Sequence, residues 1–228
     1  MAHLVLVRHG QATPFEEVTD RLSVVGEAQS RKLGEYWARN QVAFDEVYSG
    51  SLVRHRRTAE LAGWPEAEIV PELNEYDAES VVRVLAPQLA ARDPDFGKLA
   101  EANAGEGPDR NRRFQKMFEP LMLRWIAGEL DSPEVESWRD FRERVGRGLQ
   151  RITSGGARGR RVVAFTSGGP IGVAVQMALH APDRTVLELN WRVRNGSLTE
   201  FLFSGGRLSL DSFNATPHLD DPALRTFR

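Results

Sequence analysis

The sequence predicts an α/β fold, a three-layer sandwich with a mainly parallel sheet, helices on both faces and a helical insertion. Three observations carry this reading. Leu4-Val5-Leu6-Val7 is a continuous apolar run before a polar turn, the pattern of a strand buried on both faces. Strand-like and helix-like segments then alternate as far as Val70. Later, Arg161 to Phe165 forms a second apolar run that passes through Ser167-Gly168-Gly169-Pro170 into an apolar helix pattern.

In chain order, residues 26–38 set Leu33 and Trp37 at helical spacing, with Gly26 near the start. Val42 to Tyr48 is predicted as the second strand and Ser51 to Leu61 as the second helix, with Ser49 and Ser51 as candidate caps. Ile69-Val70 is a weak third strand. Residues 76–135 lack a strand signal and carry Pro87, Pro94, Gly97, Gly105, Gly107 and Pro108. This stretch is predicted to be a mostly helical insertion, or lid, within one domain spanning 1–228. Its stripe of Phe114, Met117, Phe118, Leu121, Met122 and Trp125 is predicted to be core, with Pro120 kinking or splitting the helix. Trp138, Phe141, Val145, Leu149 and Ile152 trace another helix face. After the helix Ile171 to Leu179, three strands are expected: Leu187 to Trp191, Leu198 to Phe203, and Arg207 to Leu210. Gly205-Gly206 is the expected hairpin turn.

Composition narrows the function classes. With 228 residues and a formal net charge of −2, the chain has no global attraction to nucleic acid or an anionic membrane. The basic loop Gly155 to Arg161 reads as solvated. Cysteine is absent, which excludes disulfides, thiolate catalysis and sulfur-ligated metals. No leader or membrane-length apolar run is seen, so a cytoplasmic protein is expected. The five histidines, His3, His9, His55, His180 and His218, show no metal-pairing spacing. The sequence carries no signal for oligomeric state.

The first strand runs into Arg8-His9-Gly10, at the carboxyl end where α/β sheets collect ligands. Arg8 offers a permanently charged fork, His9 a neutral nucleophile, and Gly10 a sharp turn. SGSLVRHRRTA at 49–59 places Arg54 in the first turn of a helix whose N-terminus attracts anions, with Arg57 and Thr58 on nearly the same face. His55, next to Arg54, is expected to point about 100° away from it.

LVLVRHG, DRLSVVGEAQSRKLG at 20–34 and SGSLVRHRRTAE at 49–60 together resemble the histidine phosphatase (phosphoglycerate mutase-like) superfamily. The resemblance continues through Glu136-Ser137 with Arg144, Gly169-Pro170-Ile171, Asn195-Gly196-Ser197, and Asn214 with His218-Leu219. It implies that His9 takes a phosphoryl group on nitrogen and water then hydrolyses it, with no metal or cofactor. By the same resemblance Arg8 and Arg54 clamp the phosphoryl oxygens, and Glu75 protonates the leaving oxygen, with Asp77 as the alternative acid. The family's second histidine falls on Ser167 here. Ser167 and Gly168 are expected to complete the phosphate pocket, with Arg57 lending charge; the plainer alternative makes Ser167 only a helix cap.

The implied function is phosphomonoester hydrolysis of a small phosphorylated substrate. Its alternatives are a phospholigand-binding member with weak turnover and a phosphomutase, although RHGQATPF lacks the R-H-G-x-S-x-W-N continuation of the glycolytic mutases. Selectivity is expected from 76–135 and Gln11 to Thr19. An esterase would instead use Ser167, Asp183 or Asp211, and His218, but Phe165 stands where its nucleophile turn needs glycine.

Overall fold

A computed structural model of the chain describes residues 1–13, 20–103, 109–155 and 159–227. The expected selectivity stretch lies outside the described residues from Pro14 to Thr19, as do Gly105, Gly107, Pro108 and the centre of the Gly155–Arg161 loop. Six strands form one sheet: β1 (Ala2–Arg8), β2 (Glu46–Ser49), β3 (Glu68–Ile69), β4 (Arg161–Thr166), β5 (Leu198–Ser204) and β6 (Arg207–Ala215). The helices are α1 (Val24–Arg39), α2 (Val53–Leu61), α3 (Ala78–Ser80), α4 (Ala86–Arg92), α5 (Pro94–Asn103), α6 (Arg110–Ile126), α7 (Trp138–Thr153), α8 (Gly168–Leu179) and α9 (Asp183–Asn190). Two compact units divide the chain, one made of 1–75 with 144–228 and the other of 76–143.

The strand order is β3-β2-β4-β1-β5-β6. β1, β2, β3 and β4 pair in parallel, and β5 and β6 add an antiparallel edge. The β1–β4 register sets Arg8 beside Thr166, so the two central strands end together. Side chains alternate along a strand, and here both sets are buried. Val5 and Val7 cluster with Val163 and Phe165 against Leu33 and Trp37 of α1 and Ala59 of α2. Leu4, Leu6, Val162 and Ala164 face the other way and are equally inaccessible. That double burial is why β1 and β4 read as unbroken apolar runs. Gly205 and Gly206 both take positive φ in the turn joining β5 to β6, as a two-residue hairpin requires.

Three local expectations are corrected. The second strand covers only Glu46–Ser49, because Val42 and Phe44 pack on the core from a loop rather than pairing in the ladder. Leu187 to Trp191 is not a strand: it lies mostly in α9, which begins after Pro182 and buries Val186 and Leu187 on one face. Ser49 and Ser51 do not cap α2. The cap residue is Leu52, which offers no side-chain bond, and the carboxylate of Asp20 accepts the N–H groups of Val53 and Arg54 at 2.8 and 3.3 Å.

In the 76–143 unit, α3 passes through a π-helical turn, Val81–Leu85, into α4, whose Pro87 cannot supply a backbone N–H. Pro120 does not split α6, which runs continuously through it. Met117, Phe118, Leu121, Met122 and Trp125 are all buried around that proline, and their packing holds the helix across the missing bond. The stripe is core, as expected: Trp125 packs against Tyr76 and Trp138, and Phe118 stacks on Phe114.

Candidate active site

His9 follows β1 directly, and its N–H donates to Thr166 O at 2.9 Å, tying the ends of β1 and β4. The next residue cannot carry a side chain, because a Cβ at Gly10 would overlap the carbonyl oxygen of Gly26 at the start of α1. Gly10 N–H donates to Thr58 Oγ1 at 3.1 Å, and that hydroxyl donates to Arg54 O at 2.7 Å. The turn after β1 is thereby locked to both α1 and α2.

His9 is 6 % exposed. Its Nδ1 lies 2.7 Å from Gly10 O, a partner that only accepts, so Nδ1 carries the hydrogen and Nε2 is the bare nitrogen. Arg54 Nε donates to that Nε2 at 3.3 Å. Burial, then the charges of Arg54 and Arg8, hold the imidazole well below its usual range, opposed only by the Gly10 bond. It is therefore neutral, with its lone pair facing a guanidinium. Arg54 is aimed by Asp20, whose Oδ1 accepts from Arg54 Nη1 at 2.8 Å while the same carboxylate caps α2.

Ser167 stands at the cap position of α8, yet its side chain makes no capping bond. The cap reading is corrected: Ser167 Oγ lies 2.6 Å from His55 Nε2. His55 is likewise not turned away from the site. Its ring centroid is 5.6 Å from that of His9, and the ring is fully buried. The 100° step does separate Arg54 from His55, but on a helix whose first turn adjoins the strand ends both directions meet the site. His218 does not serve Ser167 either, since both its ring nitrogens are buried without a hydrogen bond, so the esterase arrangement is not formed.

Glu75 reaches the start of α8, where its Oε2 accepts the Gly169 N–H at 3.0 Å. Arg144 secures the loop carrying it by donating Nη1 to the carbonyls of Glu72 and Asn74, each at 3.0 Å. Asp77 instead caps α3, accepting from Ser80 N at 3.0 Å and Ser80 Oγ at 2.6 Å. Gly168 is the first residue of α8, packed too closely on the Asn190 side chain to admit a Cβ. Arg8 directs Nη1 to the carbonyls of Val193 and Phe227, and its charge bears on His9 as noted. Arg57 does not lend free charge, because Glu27 and Glu60 bind it at 3.0 and 2.8 Å.

The structure thus brings Arg8, His9, Arg54, Ser167, Gly168 and Glu75 to the ends of β1 and β4. Asp20 and His55 are the residues that sequence reasoning did not place there. Asp20 opens the quoted 20–34 motif, which was its available signal; His55 had none beyond adjacency to Arg54. Among the described residues, one cluster with metal-ligating atoms within 4.8 Å of one another is His3, Glu200 and Asp211. It lies near the opposite end of β1, about 20 Å along the strand from His9, and His3 pairs there with Glu200 at 3.3 Å.

A family model described as histidine phosphatase superfamily (branch 1) matches residues 4–98 and 96–216, and the chain belongs to that superfamily. No curated protein matches the sequence significantly. Solved structures share the fold at low identity. A mutant phosphoserine phosphatase from Entamoeba histolytica, in complex with phosphoserine, has a TM-score of 0.64 at 20% identity, covering 96% of this chain and 100% of that one. A mycobacterial glucosyl-3-phosphoglycerate phosphatase with inorganic phosphate has 0.63 at 22%, covering 96% and 99%. An alpha-ribazole phosphatase from Shigella flexneri has 0.62 at 18%, covering 94% and 96%.

Proposed function

We propose that the chain is a phosphomonoester hydrolase that works through a phosphohistidine at His9. One observation carries the reading: the bare Nε2 of a buried, neutral His9 faces Arg54 Nε at 3.3 Å, while Nδ1 is tied to Gly10 O. A phosphoryl group entering beside Nε2 meets a nucleophile already in the right tautomer and a guanidinium already aimed.

In the first step the Nε2 lone pair attacks phosphorus, the P–O ester bond breaks, and Glu75 gives its proton to the leaving oxygen. In the second, water attacks phosphorus and passes a proton to the Glu75 carboxylate. The P–N bond then breaks, returning the electron pair to Nε2 and releasing inorganic phosphate. Arg54 and Arg8 supply positive charge where the equatorial oxygens gain negative charge. Glu75 is the favoured acid because it lies at the start of α8 beside Ser167, whereas Asp77 is committed to capping α3. Relatives solved with phosphoserine and with inorganic phosphate support a small phosphorylated substrate.

The test is turnover of p-nitrophenyl phosphate together with trapping of a labelled phosphoryl group. His9→Ala is expected to abolish both while the thermal unfolding curve is retained. Turnover undiminished in His9→Ala would reject the assignment. Phosphate binding by a wild-type chain that neither hydrolyses nor labels would make the protein a phospholigand-binding member instead.

A further inference from the structure

We propose that Ser167 donates a hydrogen bond to the phosphoryl group on His9, and that the buried His55 is the positioning residue that turns the Ser167 hydroxyl toward it. The inference rests on the phosphohistidine reading and assigns the site a Ser–His pair.

His55 is neutral, since burial and the charge of Arg54 both oppose its protonation, so its ring carries a single N–H. Its Nε2 is 2.6 Å from Ser167 Oγ, and its Nδ1 is buried with no hydrogen-bond partner. Nδ1 lies against Gly50, which has no room for a Cβ there. Two tautomers are available. With the hydrogen on Nδ1, a buried donor is left without an acceptor, and the Ser167 hydrogen is spent on Nε2. With the hydrogen on Nε2, only an acceptor is left unfilled, the less costly kind of orphan in protein interiors. The second tautomer is therefore favoured. Ser167 Oγ accepts from His55, and its own hydrogen points elsewhere.

Among the described residues no other side-chain hydrogen bond is made by Ser167, not even a capping one. The hydroxyl follows Thr166, whose carbonyl accepts the N–H of His9, and the two imidazoles lie 5.6 Å apart. Its hydrogen can therefore meet an oxygen of a group held on His9 Nε2. Accepting one bond polarises the hydroxyl and strengthens the bond it donates. The contact needs no charge on the second imidazole.

The experiment compares Ser167→Ala, His55→Phe, His55→Gln and the Ser167→Ala/His55→Phe double variant. It measures turnover of p-nitrophenyl phosphate and the affinity for vanadate, a mimic of the transferring group. Ser167→Ala and His55→Phe are each expected to lower kcat about ten- to a hundredfold, with KM changing far less. The double variant is expected to be no worse than either single one. His55→Gln, which puts an amide N–H near the place of Nε2, is expected to recover most of the loss. Vanadate affinity should follow kcat. If His55→Phe does not fold, Ser167→Ala carries the test, since it removes one buried oxygen only. Wild-type kcat in Ser167→Ala, multiplying losses in the double variant, or no recovery in His55→Gln overturns the proposal. Those failures differ from loss of the underlying reading, which shows as full turnover in His9→Ala. Vanadate binding weakened equally by both single variants, in a chain that does not hydrolyse, would support the pair while rejecting hydrolysis.

Discussion

The Ser167 hydroxyl and the His55 ring occupy space that a second histidine at 167 would need. With Oγ and Nε2 only 2.6 Å apart, Ser167→His alone drives one imidazole into the other. The single variant is therefore expected to lose stability and turnover, which reverses what charge counting alone suggests. Adding His55→Ala makes room for the new ring, and the double variant is expected to exceed Ser167→His in both melting temperature and kcat. A single variant as active as wild type would show that the turn after β4 relaxes more freely than its burial implies. The same scale explains why Gly10 and Gly26 must remain bare, since a Cβ at Gly10 would meet the backbone of Gly26 and one at Gly26 the backbone of Gln11.

Elements in this fold are aimed by residues distant in sequence. The first turn of α2 carries Arg54 and His55, and its free N–H groups are met by Asp20 rather than by a neighbouring serine. One carboxylate thus ends the helix and holds the guanidinium, with side chains 31% and 18% exposed for Asp20 and Arg54. Asp20→Ala is expected to cost about 1 kcal/mol through the lost cap, a drop of roughly 2–4 °C in Tm for a chain of this size, and to raise KM. Asp20→Asn should keep most of the stability and still raise KM, because an amide can cap but cannot pair with Arg54. Equal behaviour of the two variants in both measurements would show that the ion pair does not position Arg54.

Across the whole molecule, three buried imidazoles are held neutral. His9 and His55 are depressed by burial and nearby arginine charge, and burial pushes His218 down to about 4, slightly opposed by Asp220. The unfolded chain binds protons at these rings below about pH 6.5, whereas the folded chain does not until pH is well below that. The stability they contribute is therefore complete above pH 6.5 and is lost as pH falls below it, for His218 on the way to about pH 4. His218 alone accounts for about 3 kcal/mol over that interval. Urea midpoints measured from pH 7 down to pH 4 should fall, and His218→Phe should flatten part of the fall. An unchanged slope in that variant would place the acid sensitivity elsewhere.

Several features could be read without coordinates, for a local reason. The doubly buried strands β1 and β4, the core stripe of α6, the face of α7 and the Gly205-Gly206 turn all follow from periodicity or backbone freedom within a few residues. The candidate nucleophile His9 was legible because it ends a buried strand, and Arg54 because it opens the helix after β2. The assignment of α9 was not, because a short apolar run such as Leu187 to Trp191 fits a strand or a helix until its neighbours are known. His55 and Asp20 were hidden for a related reason. What a side chain touches across the fold depends on how whole elements pack, and no local pattern encodes that. By itself the sequence determined the α/β class and the place of His9 at the end of a buried strand, since both are written in contiguous residues. Only tertiary structure decided which tautomer His9 holds, what aims Arg54, and which residue Ser167 binds, because each depends on groups brought within hydrogen-bond distance from separate parts of the chain.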